Sequence, residues 1–312
     1  MDVLAKEKKI NELEIKISEI NDESLRDRLK EDIKKYKNDI MHKLTPWDRV
    51  QIARHSARQV SSNYIEALFD DFMELHGDRL YSDDESIIGG IGTLNGLPVT
   101  VIAQQKGKST EDNIKRNFAM PHPEGYRKSI RLMQQAEKFN RPIITFVDTP
   151  GAYPGMAAEE RGQGEAIAKS IMYMSSLTVP VICVVIGEGG SGGALALSVA
   201  NKIIMLENSI YSVISPEGFA SILWKDSKRA SEAAEALKLT SYDLKEWGIV
   251  DKIIKEPIGG VHNGFEETAR RVKQSIIATL NELKNKSRIR LREERYSKFR
   301  NLGFFQRFNL HE

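Results

Sequence analysis

Val179–Ala200, VPVICVVIGEGGSGGALALSVA, constrains the fold of this chain more than any other stretch. Val179 to Ile186 is a short apolar run rich in β-branched residues, with Pro180 at its edge. That is the composition of a strand covered on both faces. Five glycines follow within seven residues: Gly187, Gly189, Gly190, Gly192 and Gly193. Ala194-Leu195-Ala196-Leu197 then reads as the start of a buried helix. The order is buried strand, turn nearly free of side chains, helix. Without Cβ atoms, a ligand can approach the peptide N–H groups closely. A helix N-terminus adds unpaired donors and partial positive charge. Such a construction suits negative oxygen on a phosphate, carboxylate or enolate. The plainer alternative is a turn that only lets helix and strand pack closely; five glycines favour the anion site.

The rest of the chain has material for a large α/β domain with extensions. It has 312 residues, 40% of them hydrophobic and 29% charged, which is ordinary for a globular protein. A net charge of +2 points to neither nucleic acid nor membrane. The single cysteine, Cys183, falls inside the apolar run and reads as a small buried hydrophobe. One cysteine excludes an internal disulfide and a multi-cysteine zinc site, and it fits a reducing compartment. MDVLAKEKKI lacks the apolar core of a signal peptide. No apolar run approaches the ~20 residues of a membrane span. The expectation is a cytoplasmic protein without a metal site.

Residues 1–40 carry apolar stripes at helical spacing, Leu13, Ile17, Ile20 and then Leu25, Leu29, Ile33, Tyr36, Ile40. They predict an amphipathic helical hairpin, whose stripe is also suited to a partner subunit. Thr45-Pro46 starts a further helix as N-cap and N1, with His55 and Arg58 expected at the surface. Asn63 to Leu75 reads as another helix. Asn95-Gly96 between two apolar runs, Ile87–Leu94 and Leu97–Ala103, predicts a hairpin. Further strands are expected at Pro142–Val147, Lys202–Leu206, Ser209–Ile214 and Ile249–Ile254. Helices are expected from about Ala158 to Met174, at Glu217–Trp224, Ser231–Leu237 and Ser241–Trp247, and after Asn263. Lys284 to Arg307 is dominated by basic residues. It reads as a solvated helix end and mobile tail, with a subunit or nucleic-acid contact as the weaker alternative. The expected division is a hairpin at 1–40, a main domain at 41–285 and a basic tail at 286–312.

The glycine turn matches three patterns at once. Gly187-Glu188-Gly189-Gly190-Ser191-Gly192 fits G-x-G-x-x-G, with Glu207 where a ribose-binding acid is expected. A dinucleotide fold, however, places this unit at the start of a domain, not after at least three strands. Gly189 to Gly193 also fits G-x-S-x-G, a nucleophile elbow, with Asp226, Asp243 or Asp251 and His262 as downstream partners. Ser191 between glycines reads better as a small turn residue. The third pattern is a bare oxyanion hole that offers only peptide N–H groups.

A second Gly/Pro loop, Asp148-Thr149-Pro150-Gly151-Ala152-Tyr153-Pro154-Gly155, precedes Ala158-Glu159-Glu160-Arg161-Gly162-Gln163. With the glycine turn, Tyr211-Ser212-Val213-Ile214-Ser215-Pro216-Glu217-Gly218, Lys106-Gly107-Lys108 and Asn117-Phe118-Ala119-Met120-Pro121, it resembles the biotin-dependent carboxyltransferases. The likeness is to the α-subunit side of the bacterial acetyl-CoA carboxylase carboxyltransferases. It covers roughly residues 45–262, with several motifs in the same order.

The resemblance implies a crotonase-like fold, a spiral of β-β-α units with peripheral helices. It implies transfer of a carboxyl group from carboxybiotin, on a biotin carboxyl carrier protein charged by a biotin carboxylase, to acetyl-CoA, giving malonyl-CoA for fatty-acid synthesis. It implies an α2β2 tetramer whose β subunit carries the zinc ribbon, so this single-cysteine chain fits the α side. By the family motif, Gly192 and Gly193 are the backbone oxyanion donors, and Gly151, Ala152, Gly189 and Gly190 line the cleft. Lys106 and Arg127, within a basic set that includes Lys108, Arg116 and Arg131, are candidate contacts for CoA phosphates or the carboxybiotin carboxylate, with solvated helix and loop charges as the favoured plainer reading. The leaving ureido nitrogen can take the proton, so no protein acid or base is required.

Overall fold

The structure is a computed structural model and describes residues 3–303. Two charged helices come first, α1 (Val3–Ser18) and α2 (Glu23–His42). They form the expected hairpin, but only part of the stripe is covered: Ile17 is buried, whereas Leu13, Leu25 and Tyr36 are exposed. Thr45 then caps α3 (Pro46–Ala53) in a capping box with Asp48. The next helix, α4, covers only Ser61–Leu68, and Asp70–Glu74 is strand β1 rather than helix. Phe69 and Phe72 fit helical spacing, but Asp71 turns left-handed and the segment pairs with the sheet edge.

Strands β2 (Ile87–Leu94) and β3 (Leu97–Gln104) form the expected hairpin, with Leu94 opposite Leu97. Asn95 and Gly96 both take positive φ, +49° and +78°. Those are the two left-handed positions of a type I′ turn. After α5 (Thr110–Lys115) and α6 (Pro123–Lys138) come β4 (Ile143–Thr149), α7 (Met156–Glu160) and α8 (Gln163–Ser176). The single helix expected over 158–174 is thus two, broken where Gly162 adopts φ +82°. Strand β5 (Val181–Gly190) runs on through the first three glycines before α9 (Ser191–Leu195). The chain continues through β6 (Lys202–Leu206), β7 (Ile210–Ser212), α10 (Pro216–Trp224), α11 (Ala230–Leu237), α12 (Ser241–Glu246), β8 (Lys252–Ile254), α13 (Phe265–Leu283) and α14 (Arg288–Arg300).

The sheet order is β1-β2-β3-β4-β5-β6-β8, with β7 joined to β5 alone. The first three strands are antiparallel; from β3 onward all pairs are parallel. Strand β5 changes partner along its length: β6 lies beside Ile182–Val185, and β7 beside Glu188–Gly190. The side chains of β5 alternate between two cores, as period-two geometry requires. Ile182, Val184 and Ile186 pack under α4 and α13; Val181, Cys183 and Val185 pack under α6 and α8. Each such side chain contributes about 1.5–3 kcal/mol by leaving water. Cys183 is fully buried, and burial pushes its thiol up to about 12, as an inert packing residue requires.

The basic stretch is no loose tail over its described part. Helix α14 buries Leu291 and Arg295. The Arg295 guanidinium donates to the carbonyls of Met174 and Leu177 at the end of α8, to the Val179 carbonyl and to Asn201 Oδ1. Lys286 and Arg290 pair with Glu294, Arg288 with Glu137, and Lys298 with Asp251. Positions 304–307 of the stretch lie outside the described residues.

Candidate active site

The parallel register brings the C-terminal ends of β3, β4 and β5 to one edge, where ligands of parallel sheets bind. Gln104 and Lys106 arrive from β3, Asp148 to Ala152 from β4, and Glu188 to Gly193 from β5.

Packing of protein on protein explains most of the glycines. A Cβ at Gly187 would stand 2.3 Å from the Asp148 carboxylate, and one at Gly189 would stand 2.2 Å from the Tyr211 ring. At Gly190 it would lie 2.1 Å from the Pro150 carbonyl oxygen, and at Gly193 2.7 Å from the Ala152 amide nitrogen. Only Gly192 would meet ordinary contact, 3.5 Å to Ile167. The plainer packing role therefore accounts for these four, and its result is to press the Pro150–Ala152 backbone against the glycine turn. Gly189, Gly190, Gly192, Gly193, Gly151 and Ala152 are brought together in this way.

Gly192 and Gly193 lie in the first turn of α9, whose amides have no acceptor within the helix. Among the described residues, no hydrogen bond engages the amides of Ala152, Gly192 or Gly193. The turn is braced from behind. Gln104 Nε2 donates to the Gly193 carbonyl at 2.7 Å, and the Ser170 and Thr145 hydroxyls donate to the Ala196 and Leu197 carbonyls.

A chain of charges runs beside the turn. Lys106 Nζ lies 2.6 Å from Asp148 and 3.4 Å from Glu188; Arg54 binds Glu188 at 2.7 Å and Glu217 at 2.6 Å. Burial alone would lower the Lys106 ammonium, but Asp148 and Glu188 beside it raise it above the usual lysine value. Burial would raise Glu188, but the Lys106 and Arg54 charges outweigh it and hold the carboxyl below its usual range. Arg54, Lys106, Asp148 and Glu188, with Lys108, Phe118 and Pro150, line a cleft of about 520 Å³.

The other predicted cations lie elsewhere. Arg127 is ion-paired to Asp78 and Glu124 and donates to the Arg161 carbonyl. Arg116 pairs with Asp112, and Arg131 binds the carbonyls of Leu75, His76 and Gly77. The surface expectation for Arg58 was wrong. It is buried, bidentate to Glu256, and also donates to the Ile186 carbonyl. His55 stacks on His262 with ring centroids 4.0 Å apart. Sequence reasoning missed Arg54, Glu188, Gln104 and Tyr126. Gln104 stands in a strand where the apolar run stops, and that break was the available signal.

The two competing patterns lack their supporting groups. Glu207 accepts from Lys255, Tyr242 and the Glu256 amide, and the sheet order from β1 to β8 has no reversal where a dinucleotide would lie. Ser191 is exposed with φ +52°, and among the described residues no histidine or carboxylate is hydrogen-bonded to it. Asp226 and Asp243 cap helices, Asp251 pairs with Lys298, and His262 faces His55.

The chain is similar to known proteins in sequence and in fold. The family model described as acetyl co-enzyme A carboxylase carboxyltransferase-like matches residues 3–303. The acetyl-coenzyme A carboxylase carboxyl transferase subunit alpha of Staphylococcus aureus strain Newman is 58% identical over 279 residues, covering 89% of each chain. The same subunit of strain USA300 gives the same figures. Among solved structures, transcarboxylase 12S aligns with a TM-score of 0.59 at 21% identity, over 72% of this chain and 41% of that one. The Pseudomonas malonate decarboxylase MdcD–MdcE heterodimer gives 0.56 at 17%, over 70% and 89%.

A glycine-lined strand end that feeds two partner strands is set in a crotonase-like α/β fold, the fold shared with these solved structures. The structural likenesses carry the fold alone; the sequence match carries more. The chain belongs to the acetyl-coenzyme A carboxylase carboxyltransferase family, on the α-subunit side.

Proposed function

We propose that this chain is the α half of a carboxyltransferase that moves a carboxyl group from carboxybiotin, on a biotin carboxyl carrier protein, to acetyl-CoA, forming malonyl-CoA. One observation carries the reading: in a chain of this family, Gly193 is pressed against the Ala152 amide, and among the described residues no acceptor engages the Ala152, Gly192 or Gly193 amides. A side-chain-free cluster of donors fits the oxygen of a small planar ring. When bound, carboxybiotin supplies the activated carboxyl group. The chain's own part is electrostatic. Gly192 and Gly193, with Ala152 beside them, hold N–H dipoles where negative charge grows on oxygen, each worth about 3 kcal/mol in rate. Gln104 holds the peptide behind Gly193 through its bond to the Gly193 carbonyl. The nearest carboxylates, Asp148 and Glu188, are both held by Lys106, so proton transfer falls to the reactants. Lys106 at the cleft wall orders the strand ends, and Arg127 supports α6 away from the turn.

The reading includes a zinc-ribbon β subunit that completes the site in an α2β2 assembly, a biotin carboxylase that recharges the carrier, and a cytoplasmic setting. Exposed Val213, Ile222 and Leu223 on and before α10 support a subunit contact near the turn. Among the described residues no helix is long and apolar enough to cross a membrane. The internal ion pairs of α14 favour a structural role over nucleic-acid binding. The test is co-purification with the zinc-ribbon partner, then malonyl-CoA decarboxylation in the presence of free biotin. The complex is expected to turn over and the isolated chain not to. A complex with no activity, or an isolated chain with full activity, would overturn the reading.

A further inference from the structure

Among the described residues, two buried polar atoms beside Gly193 have no hydrogen-bond partner: the Tyr126 hydroxyl and the Gln104 side-chain oxygen. The Tyr126 hydroxyl lies 3.0 Å from where a Gly193 Cβ would stand, next to the Ala152 amide. Gln104 is fully buried and spends its amide nitrogen on the Gly193 carbonyl, at 2.7 Å. One atom is a hydroxyl without an acceptor and the other is an acceptor without a donor. Both flank the same residue. A buried orphan polar atom costs stability, and a phenylalanine would fill the Tyr126 site equally well. The hydroxyl makes no hydrogen bond to the described residues, which leaves it open to a partner in another arrangement of the turn.

We propose that Tyr126 and Gln104 are positioning residues whose hydrogen bond, Tyr126 hydroxyl to Gln104 oxygen, closes behind Gly193 when the turn tightens on a bound anion. This rests on the function proposed above. An anion drawn to the Gly192 and Gly193 amides pulls the turn away from β3. The Gln104 amide follows the Gly193 carbonyl and carries its oxygen toward the phenol. The new bond holds the donors in their working position. It favours the charged state over the resting one, the distinction that raises turnover rather than affinity.

The experiment compares Tyr126→Phe, Gln104→Met and the double variant in the complex with the β subunit. Readouts are kcat, KM and thermal midpoint, with amide hydrogen exchange over 190–197 in the free chain. Tyr126→Phe is expected to lower kcat about tenfold with KM within about twofold and the midpoint unchanged or raised. Gln104→Met is expected to lower kcat and to speed exchange over 190–197. The double variant is expected to match Gln104→Met, because the bond that Tyr126→Phe removes is already absent there. Additive losses, wild-type kcat in Tyr126→Phe, or a lowered midpoint with unchanged kcat would overturn the proposal; the last would mark an ordinary buried bond. The exchange readout needs no turnover. An inactive wild-type complex would therefore count against the function, whereas unchanged exchange in Gln104→Met would count against the brace.

Discussion

Gly193→Ala adds one methyl group at a point where two backbones already touch. Its Cβ would stand 2.7 Å from the Ala152 nitrogen and 2.7 Å from the Gly151 carbonyl carbon, against an ordinary contact that begins near 3.4 Å. Both neighbours are main chain and cannot rotate away. The two loops must separate by roughly 0.7 Å, at the overpacking cost of about 1–3 kcal/mol. The sheet beneath survives that cost, so the chain folds. Donors displaced by most of an ångström lose catalysis on the order of 100-fold. The control is Gly192→Ala, whose methyl group meets Ile167 at 3.5 Å and keeps the amide in place. It is expected to stay within a few fold of wild type. The assay is carboxyl transfer by the complex with the β subunit, alongside a urea titration of each variant. Near-normal turnover in Gly193→Ala, or equal damage from Gly192→Ala, would refute the argument that close backbone approach sets the donors.

Three further outcomes follow from the charges and the turn. Arg58→Met leaves Glu256 buried without its guanidinium and should cost about 3–5 kcal/mol in urea unfolding; a loss below about 1 kcal/mol would contradict the burial of the pair. Glu188 is held below its usual range in the folded chain, so its contribution to stability is complete above the unfolded value of about 4.3 and fades as pH falls through the folded value. Glu188→Gln should therefore flatten the acid limb of the stability curve below about pH 4.3, and an unchanged slope would reject this assignment. Ser191→Ala should retain turnover within about tenfold; a loss of several orders of magnitude would restore the serine as a nucleophile.

The sheet was legible where residue pattern alone decides structure. Asn95-Gly96 fixes its hairpin by local conformational preference, and the β-branched run from Val181 marks a strand covered on both faces. The segment after α4 was misread because Phe69 and Phe72 satisfy both a helical stripe and an edge strand, and only pairing with β2 decides between them. The site was half legible. Glycines advertise close backbone approach, but not whether a ligand or the protein itself fills the space; here Pro150 and Ala152 do. Charged partners were the least legible. Arg58 and Glu256 are 198 residues apart, and no local signal joins them. Lys106, Asp148 and Glu188 meet only through the register of three parallel strands.

Arg295 binds oxygens contributed by Met174, Leu177, Val179 and Asn201, all made more than ninety residues earlier. During translation those four acceptors emerge from the ribosome long before their shared donor. Until it arrives, the carbonyl end of α8 and the entry to β5 remain open to water or to other nascent chains. Helix α14 thus sets when the entry to the strand that bears the glycine turn is closed, so a ribosome that stalls after α13 would release a chain with the Met174, Leu177 and Val179 carbonyls uncovered.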